Sequence, residues 1–287
     1  MPELPEVEAL RRFLVPRLVG RAIARVHLTA FTALKTVEPP LEALTGLEID
    51  SVERHGKYLD VGAQGLHLVM HLARAGWLVW RDTMPAPTPR PGKGPLSLRL
   101  VLDDDSGFDL TEAGTQRKLA VHVVTDPQQI ERVRTLGPDP LSPGFTPDVL
   151  DRILDAAGRA QLKGVLRDQR VIAGIGNAYS DEILHAARLS PFQPASALDP
   201  AHRRVLFDAI RSCLTDAIAR ADGLAAKDLR DDKRGNLAVH GRTGWPCPVC
   251  GTPIAEVSFA DSSLQYCPTC QTGGRTLADR RLSRLLK

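Results

Sequence analysis

Two short cysteine pairs, Cys247-Pro-Val-Cys250 and Cys267-Pro-Thr-Cys270, are separated by sixteen residues. Two residues between thiolates place both sulfurs of a pair on one side of a tight turn, and two such turns at the ends of a hairpin complete a tetrahedral Zn2+ site. Four thiolates fill the coordination sphere, so Cys247, Cys250, Cys267 and Cys270 are expected to hold one structural ion per chain, not a catalytic one. The fifth cysteine, Cys213, stands in an apolar helical pattern with Val205, Leu206, Ile210, Leu214 and Ile218 and reads as a packing residue. At its other end the chain opens Met1-Pro-Glu-Leu-Pro-Glu-Val-Glu8. A small second residue favours removal of Met1, which leaves a free proline nitrogen. Such an amine has a basicity near that of an α-amino group, about 8, so an appreciable fraction is unprotonated and nucleophilic at cellular pH. Its addition to a sugar aldehyde carbon gives an iminium that is necessarily charged and acts as an electron sink, with Glu3 alongside as a candidate acid or base.

These residues need elements to hold them. Val7, Leu10, Leu14 and Leu18 recur at helical spacing, with Gly20 as the stop and Pro16 in the last turn. Strand patterns follow at 23–28, 47–52, 58–61, 66–72, 77–80, 96–102 and 119–124. Many short strands between turn residues predict a sandwich or barrel. Pro-rich 84–92 reads as a surface connector, and the cluster Gly137-Pro-Asp-Pro-Leu-Ser-Pro-Gly144 as a domain boundary. Beyond it, Thr146-Pro147 has the form of a helix N-cap and first residue, and further helices are expected at 181–188 and 200–221. The helical pattern is expected to end at Gly223, before the cysteine module.

The chain has 287 residues, 43% hydrophobic and 25% charged, which excludes wholesale disorder and suits two domains. Its longest apolar runs fall far short of the roughly 18 residues of a membrane span, and the acidic, proline-bearing start is unlike a secretory signal. The sequence therefore reads as cytosolic, with no membrane partner. Net charge is +3, unevenly spread: from Lys227 onward there are 10 basic against 6 acidic residues, and before it 27 against 28. Arg242, Arg275, Arg280, Arg281, Arg284 and Lys287 around a small rigid hairpin read either as a phosphate-contacting surface or, from Arg280 onward, as a solvated tail.

Met1 to Glu8, His55-Gly-Lys-Tyr58, Ala173-Gly-Ile-Gly-Asn-Ala-Tyr179 and the four-cysteine ribbon together resemble, in order and spacing, the formamidopyrimidine/endonuclease VIII family of DNA glycosylases, and the opening octet its formamidopyrimidine branch. The resemblance spans nearly the whole chain. It implies an α+β multidomain fold: an N-terminal β-sandwich catalytic domain with one helix over 1–135, a linker over 136–144, a helix-two-turns-helix DNA-binding domain over 145–223, a zinc finger over 236–271 and a basic tail over 272–287. It further implies a monomer that acts on damaged double-stranded DNA in the cytoplasm, at the nucleoid. The activity implied is that of a base-excision-repair DNA glycosylase and AP lyase, cleaving by β elimination, with or without a δ step. A damaged base is inaccessible inside a duplex, so such an enzyme extrudes the nucleotide and fills the gap. By this resemblance Pro2 is the Schiff-base nucleophile at C1′, Glu3 the acid that opens the sugar, Glu6 a supporting acid and Lys57 the cation at the sugar and its phosphate. Asn177, on a turn whose glycines let backbone approach DNA, contacts a phosphate. His71 and Lys163 are further backbone contacts or, equally, structural residues, and Arg242 and Arg275 are phosphate cations of the finger.

The chain departs from the pattern at its lesion side. The gap-filling Met position is Arg74, and the usual Arg/Phe pair reads Arg117 and Leu119. Ser262 stands where the finger usually carries an Arg, which weakens δ elimination or transfers it to a cation such as Arg275. The segment 222–236 is short and charged where the branch carries a loop over oxidised guanine, and seventeen residues follow Cys270. A lesion-binding protein that kept the scaffold without its chemistry is the second reading. A ribosomal or transcription zinc-ribbon protein, the third, leaves the N-terminal motif without a purpose.

Overall fold

A computed structural model describes residues 1–86, 90–92, 94–114, 116–259 and 262–277. The tail cations Arg280, Arg281, Arg284 and Lys287 lie outside the described residues. The chain divides into two compact units, one formed by 1–136 with 220–231, the other by 137–219 with the chain from 232 onward.

In the first unit α1 (Leu4–Leu18) precedes eight strands: β1 (Ile23–Leu28), β2 (Ile49–His55), β3 (Tyr58–Ala63), β4 (Leu66–His71), β5 (Gly76–Arg81), β6 (Leu96–Leu102), β7 (Gly107–Glu112) and β8 (Ala120–Val124). They form two antiparallel four-stranded sheets, ordered β1-β6-β7-β5 and β2-β3-β4-β8. Alternate residues of a strand face opposite ways, and one apolar core gathers Ile23, Leu98, Leu100 and Leu110 of the first sheet with Val52, Val61, Leu68, Met70 and Val121 of the second. The expected sandwich is therefore present. Leu10, Leu14 and Leu18 of α1 enter the same core, and the helix continues through Pro16 to Leu18. The outer face of the second sheet packs Tyr58, Val69 and Val124 against Ile130 and Val133, the latter on the short helix α2 (Glu131–Arg134).

Strand β7 is absent from the sequence expectation because its polar content hides a central strand. Asp109 is 2% exposed there, and Arg99 Nε and Nη2 (2.7 and 3.0 Å) with Arg81 Nε (2.9 Å) donate to it. Burial pushes its carboxyl up, but the two guanidiniums outweigh that and hold it below the usual carboxylate range.

The second unit contains α3 (Pro147–Ala157), α4 (Leu162–Arg167), α5 (Asn177–Ala186) and most of α6 (Pro200–Ala221). Thr146 caps α3, its hydroxyl accepting from the Val149 N–H, and Pro147 opens the helix. Helix α5 starts one turn before its predicted position, with Gly176 as N-cap. On α6, Leu206, Ile210, Leu214 and Ile218 are buried as the pattern requires, whereas Val205 is exposed and Cys213 half-buried. The expectation that helix ends at Gly223 is overturned, because α7 (Leu229–Asn236) follows. Its sequence, LRDDKRGN, has one apolar residue, too few for a visible period. The segment that precedes and starts α7 returns to the sandwich: Ala226 and Leu229 join its core, and the Trp77 indole donates to the Ala226 carbonyl at 2.8 Å. The cysteine module contains the hairpin β9 (Ala255–Ser258) and β10 (Ser263–Tyr266), then α8 (Pro268–Thr272).

Candidate active site

Helix α1 begins immediately after Pro2 and Glu3. Both are buried, Glu3 to 1% exposure. The Glu3 N–H donates to Glu6 Oε2 at 2.7 Å, and the Glu3 carboxylate faces the Glu6 N–H in return, a reciprocal capping box. Glu6 thereby fixes the backbone that carries Pro2 and Glu3, a role that follows from its position three residues on.

Lys57 sits in the two-residue turn between β2 and β3. Pairing of His55 with Tyr58 leaves Gly56 and Lys57 as the loop, and Gly56 adopts φ +57°, which such a hairpin requires at its first central position. The turn is bound to α1 through a buried guanidinium: Arg54 Nε donates to Glu8 Oε2 at 3.1 Å, while its Nη1 donates to the Gly56 carbonyl at 3.2 Å. Arg11 adds a bond to Glu8 at 2.8 Å. Burial raises the Glu8 carboxyl, but Arg11 and Arg54 prevail and hold it below its ordinary range. Sequence reading gave Arg54 and Glu8 no role. The available signal was acidic Glu8 with Arg11 and Arg12 at helical spacing inside an otherwise buried helix face.

His71 ends β4 and lies against Tyr58, with ring centroids 4.7 Å apart. Burial, then the positive charges of Lys57, Arg132 and His122, push its pKa down to about 4, so the ring is neutral at physiological pH. Its Nδ1 accepts from the Ala73 N–H at 3.3 Å, which leaves the proton on Nε2. The loop that follows closes on itself, with the Gly76 N–H on the Leu72 carbonyl at 2.9 Å. A Cβ on Gly76 would stand 2.1 Å from that oxygen, so only glycine fits. Arg74 lies exposed in this loop, and Ala73 holds a left-handed φ of +52°. Arg117 Nη2 donates to the Gly94 carbonyl at 2.7 Å. Leu119 is 2% exposed in the sandwich core, its N–H on Glu112 Oε2 at 2.9 Å. The structure thus turns the Phe-equivalent position inward.

In the second unit the glycine turn precedes α5. Gln169 straps it from both sides, accepting from the Gly174 N–H at 3.0 Å and donating to the Ile175 carbonyl at 2.7 Å. Asn177 Nδ2 donates to the Ser263 carbonyl of β10 at 2.8 Å, and its buried Oδ1 has no hydrogen-bond partner among the described residues. Lys163 is buried, with Nζ donating to Asp181 Oδ1 (2.6 Å), Ser180 Oγ (2.9 Å) and the Asn177 carbonyl (3.1 Å). That geometry places it behind the turn and not at the surface. Asp181 also accepts from His240 Nδ1 at 2.7 Å, and Glu182 accepts the successive N–H groups of Ala238, Val239 and His240. These two carboxylates of α5 join it to the chain that enters the cysteine module, a connection with no sequence signal.

The four thiolate sulfurs lie within 4.8 Å of one another. The Cys250 to Cys267 and Cys247 to Cys270 separations are 3.4 and 3.9 Å. These bracket the edge of a tetrahedron with Zn–S bonds of about 2.3 Å. The donor set fits a structural Zn2+, and His185 Nε2, 3.3 Å from Cys247 Sγ, is an outer partner of the kind that orients such ligands. Arg242 packs over Trp245 at 5.1 Å and donates to the Gly235 carbonyl. Arg275 follows α8, and Ser262 closes the β9–β10 turn by accepting from the Phe259 N–H at 2.8 Å. Among the described residues no helix is long and apolar enough to cross a membrane.

A β-sandwich with a capped Pro-Glu start, a helical domain with a glycine turn and a four-cysteine hairpin together define the architecture of a zinc-finger DNA glycosylase. The formamidopyrimidine-DNA glycosylase N-terminal model matches residues 1–121, its H2TH domain 136–228, and the zinc finger found in FPG and IleRS 244–273. A formamidopyrimidine-DNA glycosylase of Symbiobacterium thermophilum is 39% identical over 98% of this chain and 93% of its own length. A formamidopyrimidine-DNA glycosylase-like protein of Mycobacterium tuberculosis is 56% identical over 54% of this chain and 96% of its own. The crystal structure of the MutM (FPG) protein from Thermus thermophilus superimposes with a TM-score of 0.79 at 33% identity, covering 96% of this chain and all of the other. Lactococcus lactis Fpg bound to AP-site DNA superimposes with a TM-score of 0.81 at 27% identity, covering 94% and 99%. The chain belongs to the formamidopyrimidine-DNA glycosylase family, whose members are DNA glycosylases with AP lyase activity in base excision repair.

Proposed function

We propose that the chain is a monomeric bifunctional DNA glycosylase and AP lyase, acting on damaged double-stranded DNA in the cytoplasm, at the nucleoid. In the proposed reaction the Pro2 nitrogen, freed by loss of Met1, attacks C1′ of the extruded nucleotide. The N–C1′ bond forms, the bond from C1′ to the base breaks, and the sugar ring opens as Glu3 delivers a proton to its O4′. The resulting iminium acidifies the C2′ proton; loss of that proton expels the 3′ phosphate, and water then releases Pro2 from the sugar fragment. Lys57 supplies positive charge at the sugar and its phosphate. The boundaries read from the sequence serve this scheme: 1–135 for chemistry, 145–223 and 236–271 for grip, with the linker 136–144 and the tail 272–287.

One observation carries the reading. The capping box of Glu3 and Glu6 and the Glu8–Arg54–Gly56 bridge fix the start of α1 and the Lys57 turn to a common scaffold. A chain selected only to bind lesions has no need of that precision. His71 fits a neutral N–H contact to a phosphate, and Asn177, Arg74, Arg117, Arg242 and Arg275 supply further DNA contacts. Lys163 and Leu119 fit supporting roles, beneath the Asn177 turn and beneath the Arg74 loop respectively.

Borohydride reduction in the presence of an abasic-site duplex tests the scheme. Wild type is expected to form a stable crosslink, Pro2→Gly to lose it, and Glu3→Gln to retain trapping on the abasic site while losing base excision. Arg74 and Ser262 favour the second reading, a lesion-binding protein. Absence of any crosslink with wild type, with duplex binding intact, would establish that reading instead.

A further inference from the structure

The outer face of the β2-β3-β4 sheet carries a second set of metal-type donors, in the unit that does not contain the ribbon. Glu53 and Asp60 are direct partners across β2 and β3. His55, two residues along β2, reaches the same carboxylate, with Nε2 3.0 Å from Asp60 Oδ2. One donor atom from each of Glu53, His55 and Asp60 lies within 4.8 Å of the other two. From the opposite side, His67 on β4 places Nδ1 3.1 Å from both Asp60 oxygens.

The surroundings of Asp60 are unusual for a buried acid. Its side chain is 2% exposed, and its hydrogen-bond partners among the described residues are these two imidazoles. Other buried carboxylates among the described residues are compensated by permanent cations or by backbone N–H groups: Asp109 by Arg99 and Arg81, Asp181 by Lys163, Glu8 by Arg11 and Arg54, and Glu112 by the N–H groups of Lys118 and Leu119. A buried charge requires a partner, and here the donors converge without a permanent cation.

We propose that Glu53, His55 and Asp60 form an exchangeable site for a divalent first-row transition ion, with His67 holding the Asp60 carboxylate from behind. One imidazole and two carboxylates suit Zn2+, Co2+ or Ni2+, and three protein ligands leave a position open for water. On binding, the ion takes the place of the proton between His55 Nε2 and Asp60, and that proton passes to solvent. The second carboxylate, Glu53, stands on the exposed rim and gives the ion a path of entry. An occupied site would clamp the end of β2 one residue before the turn that carries Lys57.

The test uses untagged, full-length protein with zinc retained in the ribbon, titrated with Co2+ and followed by visible absorption and by elemental analysis after dialysis against the ion. One additional cobalt per chain is expected, with a weak visible band and no near-ultraviolet thiolate-to-cobalt band. Glu53→Gln with His55→Gln should weaken binding at least about tenfold, and His67→Gln by about tenfold to a hundredfold. Glu53 is exposed and His55 half-buried, so unchanged zinc content and melting temperature will verify that the double variant is folded. Glu53→Gln alone provides a milder second variant with the same direction of effect. Failure to bind a second ion, a thiolate band reporting exchange into the ribbon, or unchanged affinity in the folded double variant would overturn the site.

Discussion

Arg54 of β2 and Glu8 of α1 share a buried hydrogen bond of 3.1 Å, with side chains only 8% and 10% exposed. Because Arg54 also donates to the Gly56 carbonyl, the pair connects the helix that follows Pro2 and Glu3 with the turn that presents Lys57. Without Arg54, Glu8 keeps its bonds to Arg11 and Arg12, which lie nearer the solvent. Arg54→Met is therefore expected to destabilise the protein by about 1 to 3 kcal/mol, the cost of a lost charged hydrogen bond, measured by urea unfolding. Its kcat on an abasic duplex should fall more than its KM rises, because the Lys57 turn loses its anchor while the DNA grip remains.

The same bridge predicts a pH dependence. The folded Glu8 carboxyl titrates below its ordinary value of 4.5, so the bridge contributes its full stability above that value and loses it as pH falls through the folded pKa. Melting temperatures of wild type and Glu8→Gln should differ at pH 6 and converge as the pH falls below 4.5 and through the folded pKa. A constant gap across that range would show that Glu8 acts by packing alone.

The strands, the α1 stripe and the four cysteines were legible because apolar period and ligand spacing are local properties of the chain. The features that escaped are nonlocal. β7 was hidden by Asp109, whose compensation comes from Arg99 on β6 and Arg81 on β5. Glu8 was visible as a residue, but its partner Arg54 lies 46 positions away. Lys163 reads in the sequence equally as a DNA backbone contact or a structural residue, because its partner Asp181 lies eighteen positions on.

The Asp181 ion pair separates Lys163 from the proposed phosphate-contacting cations by experiment. Each phosphate neutralised contributes about one unit to the slope of log affinity against log salt. Lys57→Ala, Arg242→Ala or Arg275→Ala should each reduce the slope by about one. Lys163→Met should leave the slope unchanged and instead cost about 3 to 5 kcal/mol of stability, as expected for a broken buried pair. Fluorescence anisotropy across a salt series, with urea unfolding in parallel, distinguishes the two behaviours. A reduced slope for Lys163→Met would place its ammonium on DNA.

His71 gives a prediction of opposite sign to that usual for a histidine beside DNA. With a pKa near 4 in the folded chain against 6.5 unfolded, it remains neutral throughout the working range. The unfolded chain binds the extra proton, so this residue's contribution to stability falls as pH drops from about 6.5 toward 4. NMR should find the Nε2–H tautomer at pH 7, with Nδ1 accepting from Ala73. Catalysis should show no inflection from His71 between pH 5 and 8, and His71→Asn should leave the shape of the profile unchanged while raising KM.

Arg74 and Leu119 make the final case, because the structure separates two positions that act together in the family's gap-filling set. Leu119 is fixed in the core, with its N–H on Glu112, whereas Arg74 is exposed in a loop held shut by the Gly76 to Leu72 bond. A guanidinium entering the gap would meet the opposite base with hydrogen-bond donors and positive charge, where a methionine would offer only apolar surface. Arg74 should therefore favour opposite bases that present acceptors. Arg74→Met is expected to narrow the differences in kcat/KM among the four opposite bases by several-fold and to raise activity on duplex relative to single strands. A panel of one lesion paired with each base, together with the unpaired strand, measures both effects. An unchanged ranking and an unchanged duplex preference would assign the gap-filling role to Arg117.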